Sequence, residues 1–292
     1  MKVAFAGLGV MGFPMAGHLA KAGHEMAVFN RSPEKARRWA ETFGGEACAT
    51  AGEAAQGAEV FVLCVGNDDD VRQVVAEALP KMAPRGVVVD HTTTSAVVAR
   101  DMAEMAAGGG GAFVDAPVSG GQAGAENGQL TIMCGGEAGA YAKVEPVIAA
   151  YAKASRLMGG PGSGQLTKMV NQICIAGVVQ GLAEGLHFAK RAGLDPAGVY
   201  EAISKGAAQS WQMDNRWRTM SEGKFDFGFA VDWMRKDLGL LLDEATRNGA
   251  KLDMTAMVDG FYAEVQAIGG RRWDTSSLVA RLETPAQEKT GQ

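Results

Sequence analysis

Six residues near the start of the chain, Gly7-Leu8-Gly9-Val10-Met11-Gly12, place glycine at their first, third and sixth positions. They follow a short apolar run, Val3–Ala6, and open an apolar helical pattern that continues through Leu19. In that setting Gly7 permits a tight turn and Gly9 lets backbone N–H groups approach a pyrophosphate. Gly12 permits close packing of helix on strand. The phosphates then lie at a helix N-terminus, where unpaired N–H groups and the macrodipole favour anions. In a chain with 40 glycines the spacing alone is weak evidence. The strand before it and the helix after it make the stretch Gly7–Gly12 a dinucleotide cradle.

The end of the second apolar run, Met26–Phe29, bears on which dinucleotide is bound. A carboxylate there accepts from the ribose 2′-hydroxyl of NAD. This chain carries Asn30-Arg31-Ser32 instead. A guanidinium can pair with a 2′-phosphate through a charge-assisted fork, and Asn30 and Ser32 can add neutral hydrogen bonds. The expectation is NADP as the preferred cofactor, with NAD as the alternative. On the blander reading Arg31 is a solvated loop residue and Ser32 a helix cap.

Two further groups could do chemistry. Lys168 stands early in a long helical pattern, directly after Gly159-Gly160-Pro161-Gly162, with Met169, Val170 and Ile173 near it. A lysine partly withdrawn from water and facing an oxidised nicotinamide has its pKa lowered from about 10.4 towards neutrality, where it can accept or donate a proton. By itself it reads first as a solvated charge at a helix start. Pro117-Val118-Ser119-Gly120-Gly121 offers a hydroxyl and successive glycine N–H groups, suited to a small carboxylate, but an ordinary turn has the same composition.

These residues need a scaffold, and the hydrophobic pattern supplies one. From Lys2 to about Met158, apolar runs at Val3–Ala6, Met26–Phe29, Val60–Val65, Val87–Asp90, Ala112–Val114 and Leu130–Cys134 alternate with amphipathic stretches. Such runs suit strands buried on both faces of a mostly parallel sheet, and the alternation predicts a doubly wound α/β domain. Ser32-Pro33-Glu34 reads as a cap with proline at the first helical position. Beyond residue 162 the pattern changes to helices. One long helix is predicted over Gln165–Ala192, followed by others around Val199–Ser204, Trp211–Met220, Asp232–Arg247 and Asp253–Ala267. Trp211, Trp217 and Trp233 are read as core residues, with a subunit interface as their second use. The predicted organisation is a Rossmann-type domain over residues 1–162 and an all-α domain over 163–292, joined by the long helix, with a polar, mobile end after Glu283.

Composition narrows the classes further. The chain has 292 residues, 47% apolar and 21% charged, with a net charge of −5, which gives no reason to expect nucleic acid as a partner. No unbroken apolar run approaches the roughly 20 residues of a membrane span, and a strand begins almost at once, leaving no signal-peptide pattern. Cys48, Cys64, Cys134 and Cys174 form no CxxC pair and sit among apolar neighbours. They read as buried thiols of a cytoplasmic protein. The four histidines are too scattered to suggest a metal site.

Taken together, Gly7–Gly12, Asp90-His91-Thr92-Thr93, Asp115-Ala116-Pro117-Val118-Ser119-Gly120-Gly121, Gly162-Ser163-Gly164-Gln165-Leu166-Thr167-Lys168-Met169-Val170-Asn171-Gln172 and Lys236-Asp237 resemble the β-hydroxyacid dehydrogenases. That family spans 3-hydroxyisobutyrate dehydrogenase, tartronate semialdehyde reductase and glyoxylate/succinic semialdehyde reductase activities. The resemblance covers residues 2 to about 270. It implies Lys168 as general acid/base, and Ser119, Gly120 and Gly121 on the substrate carboxylate. It further implies Thr93 near the nicotinamide ribose, Phe229 walling the pocket, and Lys236 with Asp237 reaching the cofactor site from the helical domain. The family has an asparagine four residues after the lysine; here that position is Gln172, while Asn171 stands three residues on. Both spacings share a helix face with Lys168, so either amide could support it. The implied partners are a small carboxylic-acid substrate and further copies of the chain, as homodimer or homotetramer. Two other readings remain: an imine-reductase-like NADPH enzyme, against which Lys168 counts, and a non-catalytic dinucleotide-binding module. The 6-phosphogluconate dehydrogenases require a much larger helical domain.

Overall fold

The computed structural model describes residues 1–283, so the polar end expected to be mobile lies outside the described residues. The chain divides into two compact units, one from Met1 to Lys168 and one from Met169 onward.

In the first unit, nine strands form one sheet: β1 (Lys2–Ala6), β2 (Glu25–Phe29), β3 (Glu46–Cys48), β4 (Val60–Leu63), β5 (Val87–Asp90), β6 (Ala112–Asp115), β7 (Val118–Ser119), β8 (Leu130–Gly135) and β9 (Ala152–Gly159). The first six are parallel in the order β3-β2-β1-β4-β5-β6. β8 runs antiparallel to β6 and β7, and parallel to β9. Helices α1 (Gly12–Lys21), α2 (Pro33–Phe43), α3 (Ala51–Ala54), α4 (Asp68–Ala78), α5 (Ala96–Gly108), α6 (Gly121–Glu126) and α7 (Ala138–Ile148) link the strands. Alternate residues of β1 feed two cores: Val3 and Phe5 join Val28, Trp39 and Val62 on one face, and Ala4 and Ala6 join Phe61, Leu63 and Val88 on the other.

The six predicted strands are all present. β3, β7 and β9 went unpredicted because they lack buried apolar runs: β3 and β7 have three and two residues, and β9 (AKASRLMG) is largely exposed. The register aligns Ala6, Leu63, Asp90 and Asp115 across four parallel strands. The loops carrying Gly7–Gly12, His91–Thr94 and Ala116–Gly121 therefore leave one edge of the sheet. Neighbouring β1 and β4 are where the strand order reverses, the usual ligand crevice of an open α/β sheet.

Helix α8 (Ser163–Arg191) begins in the first unit and continues into the second. The second unit holds α9 (Pro196–Ile203), α10 (Trp211–Ser221), α11 (Val231–Asn248), α12 (Asp253–Ala267) and α13 (Leu278–Glu283). α11 packs on α12; Met234, Leu238 and Leu241 on the first and Val258, Tyr262 and Val265 on the second are buried, each set near helical spacing.

α8 has no unbroken apolar run of membrane-spanning length, as expected; with Gln, Asn and Gly interspersed it still has a mean hydropathy of 1.2 over its most apolar 18 residues, 44% of them buried within the fold. Two expectations need correction. Of the four thiols only Cys134 is buried; Cys48 and Cys64 are half-buried and Cys174 is exposed. Of the three tryptophans read as core, Trp217 is buried, whereas Trp211 and Trp233 are exposed beneath cations, Arg216 at 5.1 Å and Lys236 at 5.7 Å from the ring centres.

Candidate functional site

The glycine turn has the geometry its spacing predicts. Gly7 adopts φ +94° and lies so close to β4 that a Cβ would overlap the Cys64 carbonyl. A Cβ on Gly12 would overlap the Gly7 carbonyl oxygen and meet the Phe5 ring. Gly9 is different: a Cβ there would point into open space. Met11, the residue before α1, gives the helix no side-chain cap. An open cradle at an uncapped helix N-terminus fits a pyrophosphate.

Asn30 follows β2 and ties the turn together. Its Oδ1 accepts from the Leu8 N–H at 2.8 Å, and its Nδ2 donates to the Ser32 carbonyl at 3.1 Å. Leu8 is buried and its N–H is spent on Asn30, so the cradle is made by the backbone from Gly9 onward. Ser32 precedes α2 without capping it through its side chain, a correction to its reading as a cap; Pro33 does open the helix. Arg31 projects into solvent, 89% exposed, with Nη1 3.6 Å from Asp70 Oδ1. Asp70 lies in the acidic first turn of α4 and also accepts the Gly66 N–H at 3.2 Å.

Around the ends of β5 and β6 several buried polar groups pair with one another, while the Thr94 hydroxyl is buried without a hydrogen-bond partner. Thr92 Oγ1 accepts the Val65 N–H at 3.0 Å, and the Thr92 N–H donates to Asp90 Oδ1 at 2.9 Å. Thr93 is half-buried beside it. Asp115 accepts the Gly162 N–H at 2.8 Å and the Gln165 N–H at 2.9 Å. Burial pushes its carboxyl up to about 6, opposed by these backbone donors. Gln165, fully buried, accepts the Thr94 N–H at 3.1 Å and donates to the Thr92 carbonyl at 2.7 Å. Lys168 is 8% exposed on the same helix. Ser119 pairs with Thr131 in the sheet, and Gly120 and Gly121 turn away from it at φ +133° and +61°.

In the second unit the structure brings four predicted residues into one chain. Asn171 Nδ2 donates to Gln172 Oε1 at 2.8 Å, and Gln172 Nε2 donates to Asp237 Oδ2 at 2.8 Å. Lys236 Nζ stands 3.4 Å from Asp237 Oδ1. The carboxamide of Gln172 is thus committed on both sides, and Asp237 is buried within the unit as its acceptor. Phe229 lies apart on the loop before α11, 38% exposed, its N–H donating to Asp274 at 3.0 Å. Sequence reasoning gave no role to Asp115 or Gln165; nothing in the spacing of the chain links positions 115, 165 and 92.

Residues 2–160 match the family described as the NAD binding domain of 6-phosphogluconate dehydrogenase, and residues 162–282 the family described as NAD-binding of NADP-dependent 3-hydroxyisobutyrate dehydrogenase. An uncharacterized oxidoreductase of Shewanella frigidimarina is 62% identical over 97% of this chain and 98% of its own. The 2-hydroxy-3-oxopropionate reductase of Escherichia coli is 34% identical over 99% of both chains. The 3-hydroxyisobutyrate dehydrogenase of Mycobacterium tuberculosis, solved with L-serine, superposes with a TM-score of 0.89 at 29% identity, covering 97% of this chain and 99% of that one. Fold and cradle define an oxidoreductase that binds a nicotinamide dinucleotide. The chain belongs to the β-hydroxyacid dehydrogenase family.

Proposed function

We propose that this protein interconverts a small 3-hydroxy acid and its semialdehyde, or reduces a related aldehyde or keto acid, with a preference for NADP. The observation that carries the reading is Lys168, buried on a helix whose first turn is hydrogen-bonded to the ends of β5 and β6. Residues 1–162 bind the dinucleotide and residues 163–292 serve substrate binding and assembly. Gly9, Val10 and Met11 hold the pyrophosphate, with Gly7 and Gly12 shaping the turn. Arg31, assisted by Ser32, faces the 2′-phosphate, while Asn30 braces the turn from behind. Thr93 borders the nicotinamide ribose.

A bound nicotinamide supplies or accepts the hydride. Ser119 and the N–H groups of Gly120 and Gly121 orient the substrate carboxylate. Lys168 Nζ takes the hydroxyl proton as the carbon is oxidised, and returns it to the carbonyl oxygen in the reverse direction. The family resemblance gives Asn171, Gln172 and Phe229 to the substrate and Lys236 with Asp237 to the cofactor; Gln172 is hydrogen-bonded to both Asn171 and Asp237.

The test is a panel of 3-hydroxyisobutyrate, 3-hydroxypropionate, serine, glyoxylate and succinic semialdehyde, assayed with NADP(H) and NAD(H) through absorbance of the reduced cofactor. At least one acid–aldehyde pair turns over, with kcat/KM higher for NADP than for NAD; Arg31→Asp reverses that ratio. Lys168→Ala loses about 10²–10⁴-fold in kcat. Turnover by Lys168→Ala at the parental rate overturns the mechanism while leaving the cofactor assignment standing.

A further inference from the structure

The N-terminus of α8 is held by a residue distant in the chain. Asp115, at the end of β6, takes two of its N–H groups. There is no room for a side chain on either flank: a Cβ on Gly135 would lie 2.5 Å from Asp115 Oδ1, and one on Gly164 2.6 Å from the Asp115 carbonyl. The carboxylate therefore sits in a fitted slot that fixes where the helix begins.

Gln165 adds a second fixture of a different kind. Its carboxamide reaches the loop after β5 and makes one bond on each side of Thr93: Oε1 to the Thr94 N–H and Nε2 to the Thr92 carbonyl. A carboxamide is suited to this because it offers an acceptor and a donor in one plane. Thr92 is itself held from the loop after β4 through the Val65 N–H. Gln165 lies one helical turn before Lys168, so the two share a helix face. One buried side chain thus sets the distance between the backbone at Thr93 and the helix that carries Lys168.

We propose that Gln165 is a positioning residue for the reaction, a pin that holds Lys168 in register with the Thr93 loop and hence with the nicotinamide ring. The inference rests on Lys168 as the proton-transferring group. A buried amide serving stability alone would need partners, but not partners that bracket one loop residue from the helix turn preceding the lysine. Asp115 sets the depth of the helix and Gln165 its registry against the loop.

Two full-length variants test this, assayed with the most active acid of the panel. Gln165→Met keeps the volume and removes both hydrogen bonds. Gln165→Glu keeps the shape, and its carboxyl, when protonated, again offers one donor and one acceptor in the same plane. Gln165→Met lowers kcat by about 30–100-fold, the cost of misplacing a reacting group by about 1 Å, with KM for the acid within about threefold of the parent. Gln165→Glu recovers kcat to within about fivefold at acid pH and loses it as pH rises, through a titration absent from the parent, because burial and the neighbouring Asp115 carboxylate favour the protonated form against the pull of Lys168 one turn along. In a Lys168→Ala background, Gln165→Met costs less than about threefold more, as expected of residues acting as a unit. Parental turnover by Gln165→Met, or a parental pH profile for Gln165→Glu, overturns the inference. If Gln165→Met does not fold, the Gln165→Glu profile decides. Activity retained by Lys168→Ala counts instead against the lysine mechanism on which the inference rests.

Discussion

His91 illustrates how a single side chain can be fixed by what surrounds it. It is buried, with Nδ1 2.6 Å from the Ala116 carbonyl and Nε2 2.8 Å from the Tyr151 hydroxyl. A carbonyl can only accept, so Nδ1 carries the proton and Nε2 accepts from Tyr151. Burial pushes the imidazole down to about 4 against the weaker pull of the Ala116 carbonyl. Between that value and the ordinary 6.5 the unfolded chain binds more protons than the folded one. The His91 contribution is therefore complete above about pH 6.5 and is lost as pH falls towards 4. Asp115 works in the opposite sense: its raised pKa gives a contribution present below the ordinary 3.8 and lost as pH rises through about 6. Comparing His91→Phe with the parent isolates the first effect. In urea unfolding, the stability gap between parent and variant narrows by about 2 kcal/mol from about pH 7 to about pH 5. A constant gap would show that His91 is not held neutral.

At the scale of elements, the β1–α1 unit separates glycines that build the turn from the glycine that serves a ligand. Gly12 touches the carbonyl of Gly7, so Gly12→Ala displaces α1 from the sheet. It costs at least about 2 kcal/mol, or roughly 4–8 °C in Tm. Gly9 meets no protein atom within 4 Å of a Cβ position, so Gly9→Ala leaves Tm within about 2 °C of the parent and raises the dinucleotide KM about tenfold or more. Differential scanning calorimetry and cofactor titration read the two effects. Equal losses in Tm for both variants would refute the division. The glycine spacing was legible in the sequence because each contact is local, made within one strand–turn–helix unit. The end of α8 was not: its cap, Asp115, and its pin, Gln165, act across about 50–70 residues.

At the scale of the whole molecule, the unused surface of the second unit bears on assembly. Along α8, Val170, Cys174, Val178 and Phe188 are all exposed, with Gly181 and Gly185 between them. Met254 and Met257 on α12 are exposed as well, and Met254 would meet a Cβ placed on Gly177. Exposed apolar residues recurring along one helix are the pattern of a covered face. A second copy of the chain is the proposed cover, and light scattering reports twice or four times the chain mass. Phe188→Asp, which removes the most exposed of these side chains at 71%, shifts that mass downwards. A parent that runs as a monomer at all concentrations removes the proposal.

The sequence by itself determined the strand–helix alternation, the dinucleotide cradle, the position of the long helix and the family. These depend on patterns short enough to lie within one element, or on motifs read in order. Only the tertiary structure decided how the two amides are bonded. Gln172 is bound to Asp237, and Asn171 to Gln172, through contacts made by folding α8 beside α11. It also decided that Trp211, Trp233 and Cys174 face outwards, since an apolar residue type does not say which side of a helix is covered. Asp115, Gln165 and His91 owe their states to burial, and burial is a property of the fold rather than of neighbours in the chain.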